Sequence, residues 1–439
     1  MELPLVYKCQ KIEKELLPFK KELGLHYDDF STIVTGKIFG QGNFSKIVRS
    51  TVESPSVSSL CRFYDEGDPE EINKIYRRKF LKLVRKKPER YLFALDDTII
   101  EKFGKNIWGT YYWYDHCKQA TVWGQKILFL GVVDIKIKKF IPIFWVILHR
   151  QESESGRKKE SKEMNEKKGN QVEEKANHKT GIEVALELVK KAVKEGFPKF
   201  TLVFDSWFCS NWFMESLNKI GIEFVGEIKS NRLLKDEKNP RTDPLNVSEF
   251  FRERPRSKII HEGKGKWSAS IVTNLNACEI EKLKIVAVAN NKGLRHGPFA
   301  YYVSNRTHWD ATKIWRISRL RWAIEVQFRE LKQLFTFGEA PVRSKKAVEI
   351  HLSMSAIALS VIRCIQLAIP DASKNQYTRP VPALAIVQQL KLASLSGCIS
   401  NLVSGNKKEL LEIKMKLDLK NYREKPKVGR KINLLKQVA

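Results

Sequence analysis

The spacing of apolar positions changes character several times along the chain. Up to about residue 88 it is helical, with turns marked by Gly36, Gly40 and Gly42. Ser56 is placed to cap a short helix that follows it, and Ile72 to Lys87 forms an amphipathic stretch ended by Pro88. From Arg90 the pattern becomes that of strands. Tyr91 to Leu95 and Phe200 to Phe204 are short apolar runs, each ending in a carboxylate, Asp96 and Asp205. Lys126 to Lys138 and Phe140 to Leu148 read as two more strands of the same sheet. The aromatic-rich stretch Trp108 to Trp123 reads as core.

A polar run, Gln151 to Thr180, interrupts this order and predicts a flexible excursion. Ile182 to Val193 then returns to helical spacing and leads into the Asp205 strand, a crossover helix feeding a parallel strand. Asn211 to Ile220 predicts a helix and Ile222 to Ile228 a strand. Between residues 230 and 306 four strand-like runs alternate with Gly, Asn and Lys turns, predicting a β-rich insertion.

Thr312 opens a helix predicted to run unbroken into Glu325. At about 100° per residue, Ile317, Leu320, Ile324, Phe328 and Leu331 share one apolar stripe. Ser318, Arg321, Glu325 and Lys332 share the adjacent face, so one carboxylate stands among cations. Glu330 lies well round the same helix, and its replacement is expected to be near neutral. Val348 to Ile365 is apolar almost all round and predicts a buried helix. The lysine-rich end, Lys407 to Lys436, predicts a tail that contacts phosphates or a second subunit, or is disordered.

Charge narrows the choice of partner. Lys and Arg number 79 against 50 Asp and Glu, a net charge of +29 spread over 439 residues. That excess points to a polyanion, and the 42% hydrophobic content excludes a merely basic disordered chain. Residues 1–88 then read as a helix-turn-helix-like DNA-binding unit, or equally as a helical collar on the next domain. The seven cysteines lack paired spacing, which predicts reduced thiols and argues against a zinc site. No charged run precedes an apolar core near Met1, and the Phe140 to Leu148 run is about half a membrane span. A cytoplasmic, nucleoid-associated chain with no membrane contact is expected.

Two strand-end carboxylates and one helix carboxylate form an oxygen donor set suited to hard divalent cations. A pair of such ions activates an attacking oxygen and stabilises a leaving one in phosphoryl transfer. The motifs go further. Arg321-Trp322-Ala323-Ile324-Glu325 followed by Lys332, Asp96-Asp97-Thr98 followed by Lys102 and Gly104, and Phe204-Asp205-Ser206-Trp207 occur in that order. Together they resemble the three motifs of bacterial insertion-sequence transposases of the DDE superfamily, in the IS-four-like group. Ser318 stands where that group's third motif has tyrosine.

The resemblance covers about Tyr91 to Ile369, and its implications are expectations here. The fold implied is α/β (α+β), a ribonuclease-H-like mixed sheet flanked by helices and interrupted by the insertion. The implied divisions are a helical DNA-binding domain (1–88), a first core part (89–229, with the charged loop 151–180), the insertion (230–310), a second core part (311–370) and a basic C-terminal region (371–439). Asp96, Asp205 and Glu325 are the implied catalytic, metal-holding residues for two Mg2+ or Mn2+ ions, with Asp97 the alternative to Asp96. Arg321, Lys332, Ser318 and Lys102 are implied DNA contacts. Trp267 or Trp309 is a candidate stacking platform for a displaced base. The activity implied is hydrolysis at transposon ends followed by strand transfer into target DNA. The partners are double-stranded DNA, as terminal inverted repeats and target, and a second copy of the chain in a synaptic dimer. A metal-dependent nuclease with the same core and a catalytically silent DNA-binding relative are the alternatives.

Overall fold

The computed structural model describes residues 5–49, 55–104, 106–149, 180–235, 245–252, 260–263, 266–290, 299–339, 342–368 and 381–402. The expected excursion at Gln151 to Thr180, apart from Thr180 itself, and the lysine-rich tail lie outside these residues.

Among the described residues five α-helices come first: α1 (Leu5–Leu23), α2 (Tyr27–Ile38), α3 (Phe44–Arg49), α4 (Val57–Glu66) and α5 (Pro69–Lys86). Ser56 caps α4 as expected, its hydroxyl accepting from Ser59 N at 3.1 Å. The strands β1 (Tyr91–Glu101), β2 (Tyr111–Asp115), β3 (Ala120–Asp134) and β4 (Lys139–Leu148) follow. Then come α6 (Gly181–Lys194), β5 (Thr201–Phe204), α7 (Asn211–Lys219) and β6 (Glu223–Glu227). Thr180 begins α6 with a reciprocal capping box to Glu183.

The segment after β6 holds β7 (Leu234–Lys235), α8 (Val247–Arg252), β8 (Ile260–Gly263), β9 (Lys266–Leu275), β10 (Leu283–Ala289) and β11 (Phe299–Ser304). The four expected strand runs fall on β8, β9, β10 and β11, and they do not stand apart. β11 pairs with β6, so the main sheet runs β3-β1-β5-β6-β11-β10-β9 without a break. β6 would otherwise be an edge, and pairing it satisfies its backbone groups. β2 and β4 share the outer side of the long β3, and β7 and β8 border β9.

Among the described residues four more helices follow: α9 (Ala311–Leu320), α10 (Trp322–Leu334), α11 (Lys345–Ala368) and α12 (Ala383–Leu402). α11 is long and apolar enough to cross a membrane by composition, against the sequence expectation that no stretch is. It is instead a core helix, with Val348, Met354, Leu359 and Ile362 all 1% exposed or less. The N-terminal helices wrap it. Tyr76 on α5 hydrogen-bonds the Pro142 carbonyl of β4 and meets Ser360 of α11 at 2.6 Å. Residues 5–86 therefore pack as a collar, one of the two arrangements their sequence allowed. The aromatic stretch expected as core is instead a half-exposed rim: Tyr112 is 61% and Tyr114 53% exposed on β2.

The collar carries a buried cation. Lys37 on α2 is 1% exposed, and its ammonium lies 3.3 Å from both Thr336 Oγ1 and His351 Nδ1. Burial first, then nearby Lys102, push it from 10.5 down to about 7, with Glu339 opposing. Its folded-state pKa lies below the unfolded one, so its stabilising contribution is present above pH 10.5 and is lost as pH falls toward about 7. Lys37→Met is expected to hold its greatest stability advantage over wild type near pH 7 and to lose ground as pH rises to 10. Denaturant midpoints at both pH values check this; a constant difference would refute it.

Candidate active site

Strand register assembles the site. β1 and β5 run parallel with Ala94 opposite Val203, so two residues on Asp96 stands level with Asp205. β5 and β6 are also parallel, with Phe204 opposite Gly226, so Asp205 stands level with Glu227. Parallel neighbours in register share the sense of the pleat, so three carboxylates form one row across three strands. Residues 93–95 and 202–204 below them are buried, which suits a row set at the sheet's centre.

Helices α9 and α10 lie over this row. Asp310 caps α9 through Lys313 N at 2.5 Å. The expected single helix is broken at Arg321, where Arg321 N bonds Ser318 O and Ile324 N bonds Arg321 O, both three-residue steps. The tightened turn brings the guanidinium down to the sheet. Its Nη1 donates to Asp96 Oδ2 at 2.8 Å and its Nη2 to Glu325 Oε1 at 2.6 Å. One arginine thus ties a β1 acid to the α10 acid, 229 positions apart in the chain (325 − 96).

Each acid has a distinct environment. Asp96 Oδ1 accepts from Asp97 N at 2.9 Å. Burial, then the charge of Asp205, push its carboxyl up to about 8 against the pull of Arg321. Asp205 Oδ1 accepts from Trp207 N at 3.0 Å and Phe208 N at 3.4 Å, which locks its rotamer and leaves Oδ2 to the site. Asp97 faces elsewhere: its Oδ2 pairs with Lys126 at 3.1 Å, and the Lys126 ammonium sits 4.7 Å from the Trp207 ring and 5.7 Å from Trp113. Burial, then Arg321, Asp205 and Glu325, act on Glu227, with a net upward shift. Its carboxylate makes no ion pair or hydrogen bond among the described residues. Burial opposes the charge of Arg321, and Asp96, Glu325, Asp205 and Glu227 more than offset it.

The expected DNA contacts separate. Ser318 and Arg321 line one groove, with Ser318 Oγ donating back to Trp315 O at 2.8 Å. Lys332 lies on the far turn of α10, toward Asp115 and Glu101 of the β1–β3 side. Lys102 corrects the expectation: it is 7% exposed and its ammonium donates to Gly338 O at 2.7 Å, so burial and that carbonyl withdraw it from DNA. Trp309 is 8% exposed beneath Lys313, 4.2 Å away, and Trp267 is partly buried on β9, so neither presents an open face. Trp322, 63% exposed, and Trp207, 42% exposed, are open tryptophans beside the site. Glu227 escaped the sequence reading, although Phe224-Val225-Gly226-Glu227 repeats the apolar-run-then-acid pattern of β1 and β5.

The donor set is all carboxylate oxygen, which fits a hard divalent cation, and the crowding of Asp96 by Asp205 is the repulsion such a cation relieves. Among the described residues no three His, Cys, Asp or Glu side chains are already gathered as a cage. The Arg321 guanidinium is the positive charge that joins Asp96 to Glu325 in this arrangement.

A mixed sheet with a carboxylate row under a helix-borne glutamate is the arrangement against which the comparisons stand. Residues 168–361 match the family model described as transposase DDE domain. The match contains Asp205, Glu227, Arg321 and Glu325; Asp96 lies before it. Among solved structures the chain is similar to piggyBac transposase in a synaptic complex with hairpin DNA, at 12% identity and a TM-score of 0.40, over 92% of this chain and 78% of that one. No curated protein matches it in sequence.

Proposed function

We propose that this chain is a cut-and-paste DNA transposase of the IS-four-like group, in which Asp96, Asp205 and Glu325 hold two divalent cations, magnesium or manganese. The observation that carries the reading is the single guanidinium, Arg321, joining Asp96 to Glu325 above the strand that bears Asp205. Bound there, the cations supply activation of the attacking oxygen and stabilisation of the leaving one. Asp205, fixed by two backbone N–H groups, and Asp96, fixed by one, present preset oxygens. Arg321 has a planar fork that can exchange its carboxylate partners for a DNA phosphate, placing the scissile bond over the row. Substrates are terminal inverted repeats and target duplex, handled by a dimer in a synaptic complex.

Asp96 is the first ligand in this reading and Asp97 is its neighbour, held by Lys126 on a separate branch of the network. Asp96→Asn is expected to abolish metal-dependent nicking of DNA carrying the terminal repeats that flank the coding region. Asp97→Asn should retain part of it. Gel assays with Mg2+ and Mn2+ check the pair; an active Asp96→Asn beside a dead Asp97→Asn would move the assignment by one residue. DNA binding should survive both changes and fall steeply with salt, since phosphate contacts and metal ligands are separate. A salt-insensitive affinity would instead remove the polyanion reading.

A further inference from the structure

Arg321 occupies two of the acids that a divalent cation would use. Its guanidinium donates to Asp96 Oδ2 at 2.8 Å and to Glu325 Oε1 at 2.6 Å, while Asp96 Oδ1 accepts from Asp97 N at 2.9 Å. A cation held by Asp96, Asp205 and Glu325 therefore has to displace the guanidinium. The Arg321 side chain is only 19% exposed, and a charge left unpaired in such surroundings is costly unless another acid receives it. Glu227 lines the same groove, and its carboxylate makes no hydrogen bond or ion pair among the described residues. Arg321 is the cation that acts on it, whereas Asp205 and Glu325 repel its charge.

The fold sets Arg321 between its present partners and Glu227. It lies at the break between α9, which packs on β5, β6 and β11, and α10, which packs on β1 and β4. Neighbouring strands are about 4.8 Å apart, so Glu227 stands about 10 Å from Asp96 across the row. A change of rotamer in the long arginine side chain moves the fork along this row while the helices stay in place. Glu227 itself is held firmly. Tyr302 of β11 pairs opposite it, and the Phe204 ring fills the space where a Cβ at Gly226 would stand, so β6 is clamped between β5 and β11. We infer that Glu227 is a positioning residue that receives the Arg321 guanidinium when a divalent cation takes Asp96 and Glu325. The inference rests on the transposase reading and adds to it a resting lock with its release partner.

The test uses the full chain without DNA and Mn2+ alone as the probe, followed by titration calorimetry. Glu227→Gln is expected to lower Mn2+ affinity roughly tenfold, because the guanidinium then has no acid to move to. Glu227→Asp keeps the charge and should recover most of that loss. Arg321→Gln should bind Mn2+ at least as tightly as wild type, since nothing has to be displaced. In the Arg321→Gln background, adding Glu227→Gln should cost no more than about twofold. Asp96→Asn should abolish the signal, which identifies it as this site's. Unchanged near-ultraviolet circular dichroism of each variant establishes that it is folded. Wild-type affinity in Glu227→Gln, or weakened binding in Arg321→Gln, would overturn the inference and leave the transposase reading intact. So would a tenfold loss that persists without Arg321, which would make Glu227 a direct ligand. Failure of wild type to bind Mn2+, or binding that survives Asp96→Asn, would overturn both.

Discussion

Glu325→Gln is expected to give a folded protein that binds DNA and neither nicks it nor transfers strands. The change keeps the shape and helix tendency of the side chain and removes the charge that a divalent cation requires. Loss of a metal ligand takes away several kcal/mol of transition-state stabilisation, so activity should drop by a hundredfold or more, by order of magnitude. Stability should hardly move. Glu325 is 33% exposed, and its contact with Arg321 is a pair four residues apart, from the break before α10 into its first turn. Such pairs contribute about 0.3–0.5 kcal/mol, less than ordinary variation between surface mutants. A gel assay of strand transfer together with a thermal melt separates the two effects. An active Glu325→Gln enzyme would sink the catalytic assignment; an inactive variant that has also lost its melting transition would show only that the helix had failed.

Glu330→Ala is expected to do the reverse, damaging the fold and sparing the chemistry of whatever molecules remain folded. From helical spacing alone, a change at Glu330 reads as near neutral. The structure corrects this, because Glu330 is the counterion of Arg363 on α11, whose side chain is 0% exposed. The guanidinium also donates to Phe140 O at 3.1 Å and to Gln366 Oε1 at 2.8 Å, and Lys139 approaches Glu330 at 3.4 Å. Taking away the carboxylate leaves a buried cation without its charge partner, a loss of about 3–5 kcal/mol. Urea denaturation should show a large fall in midpoint. Glu330→Leu with Arg363→Met should recover much of it, since replacing both members of a buried pair is far cheaper than removing one. A midpoint unchanged in Glu330→Ala would mean that Arg363 finds water or another acid in solution.

These two residues lie five positions apart on α10 and show where reading by periodicity stops. The stripe Ile324, Phe328, Leu331 is buried as its spacing predicts. Periodicity says which face is apolar; it does not say that a polar position opposite will meet a buried arginine from a helix more than thirty residues later. Lys102 and Glu227 are errors of the same kind. In sequence Lys102 is a cation following an acid motif, and only the fold places the Gly338 carbonyl against its ammonium. Glu227 closes an apolar run like Asp96 and Asp205, but its membership of the row depends on β6 lying parallel and in register beside β5.

Local signals settled much of the rest. Alternation and apolar runs set most strands of the sheet, capping residues such as Ser56 set helix starts, and three acids with their neighbouring residues mark the candidate site. These are properties of a few adjacent residues, governed by backbone geometry and burial, and they are written in the chain directly. Strand order and register, the break at Arg321 that turns its guanidinium toward Asp96, and the continuity of the insertion with the main sheet are different in kind. They depend on which distant surfaces meet, because register and ion pairing between segments hundreds of residues apart are chosen by the packing of the whole core, and only the tertiary structure decided them.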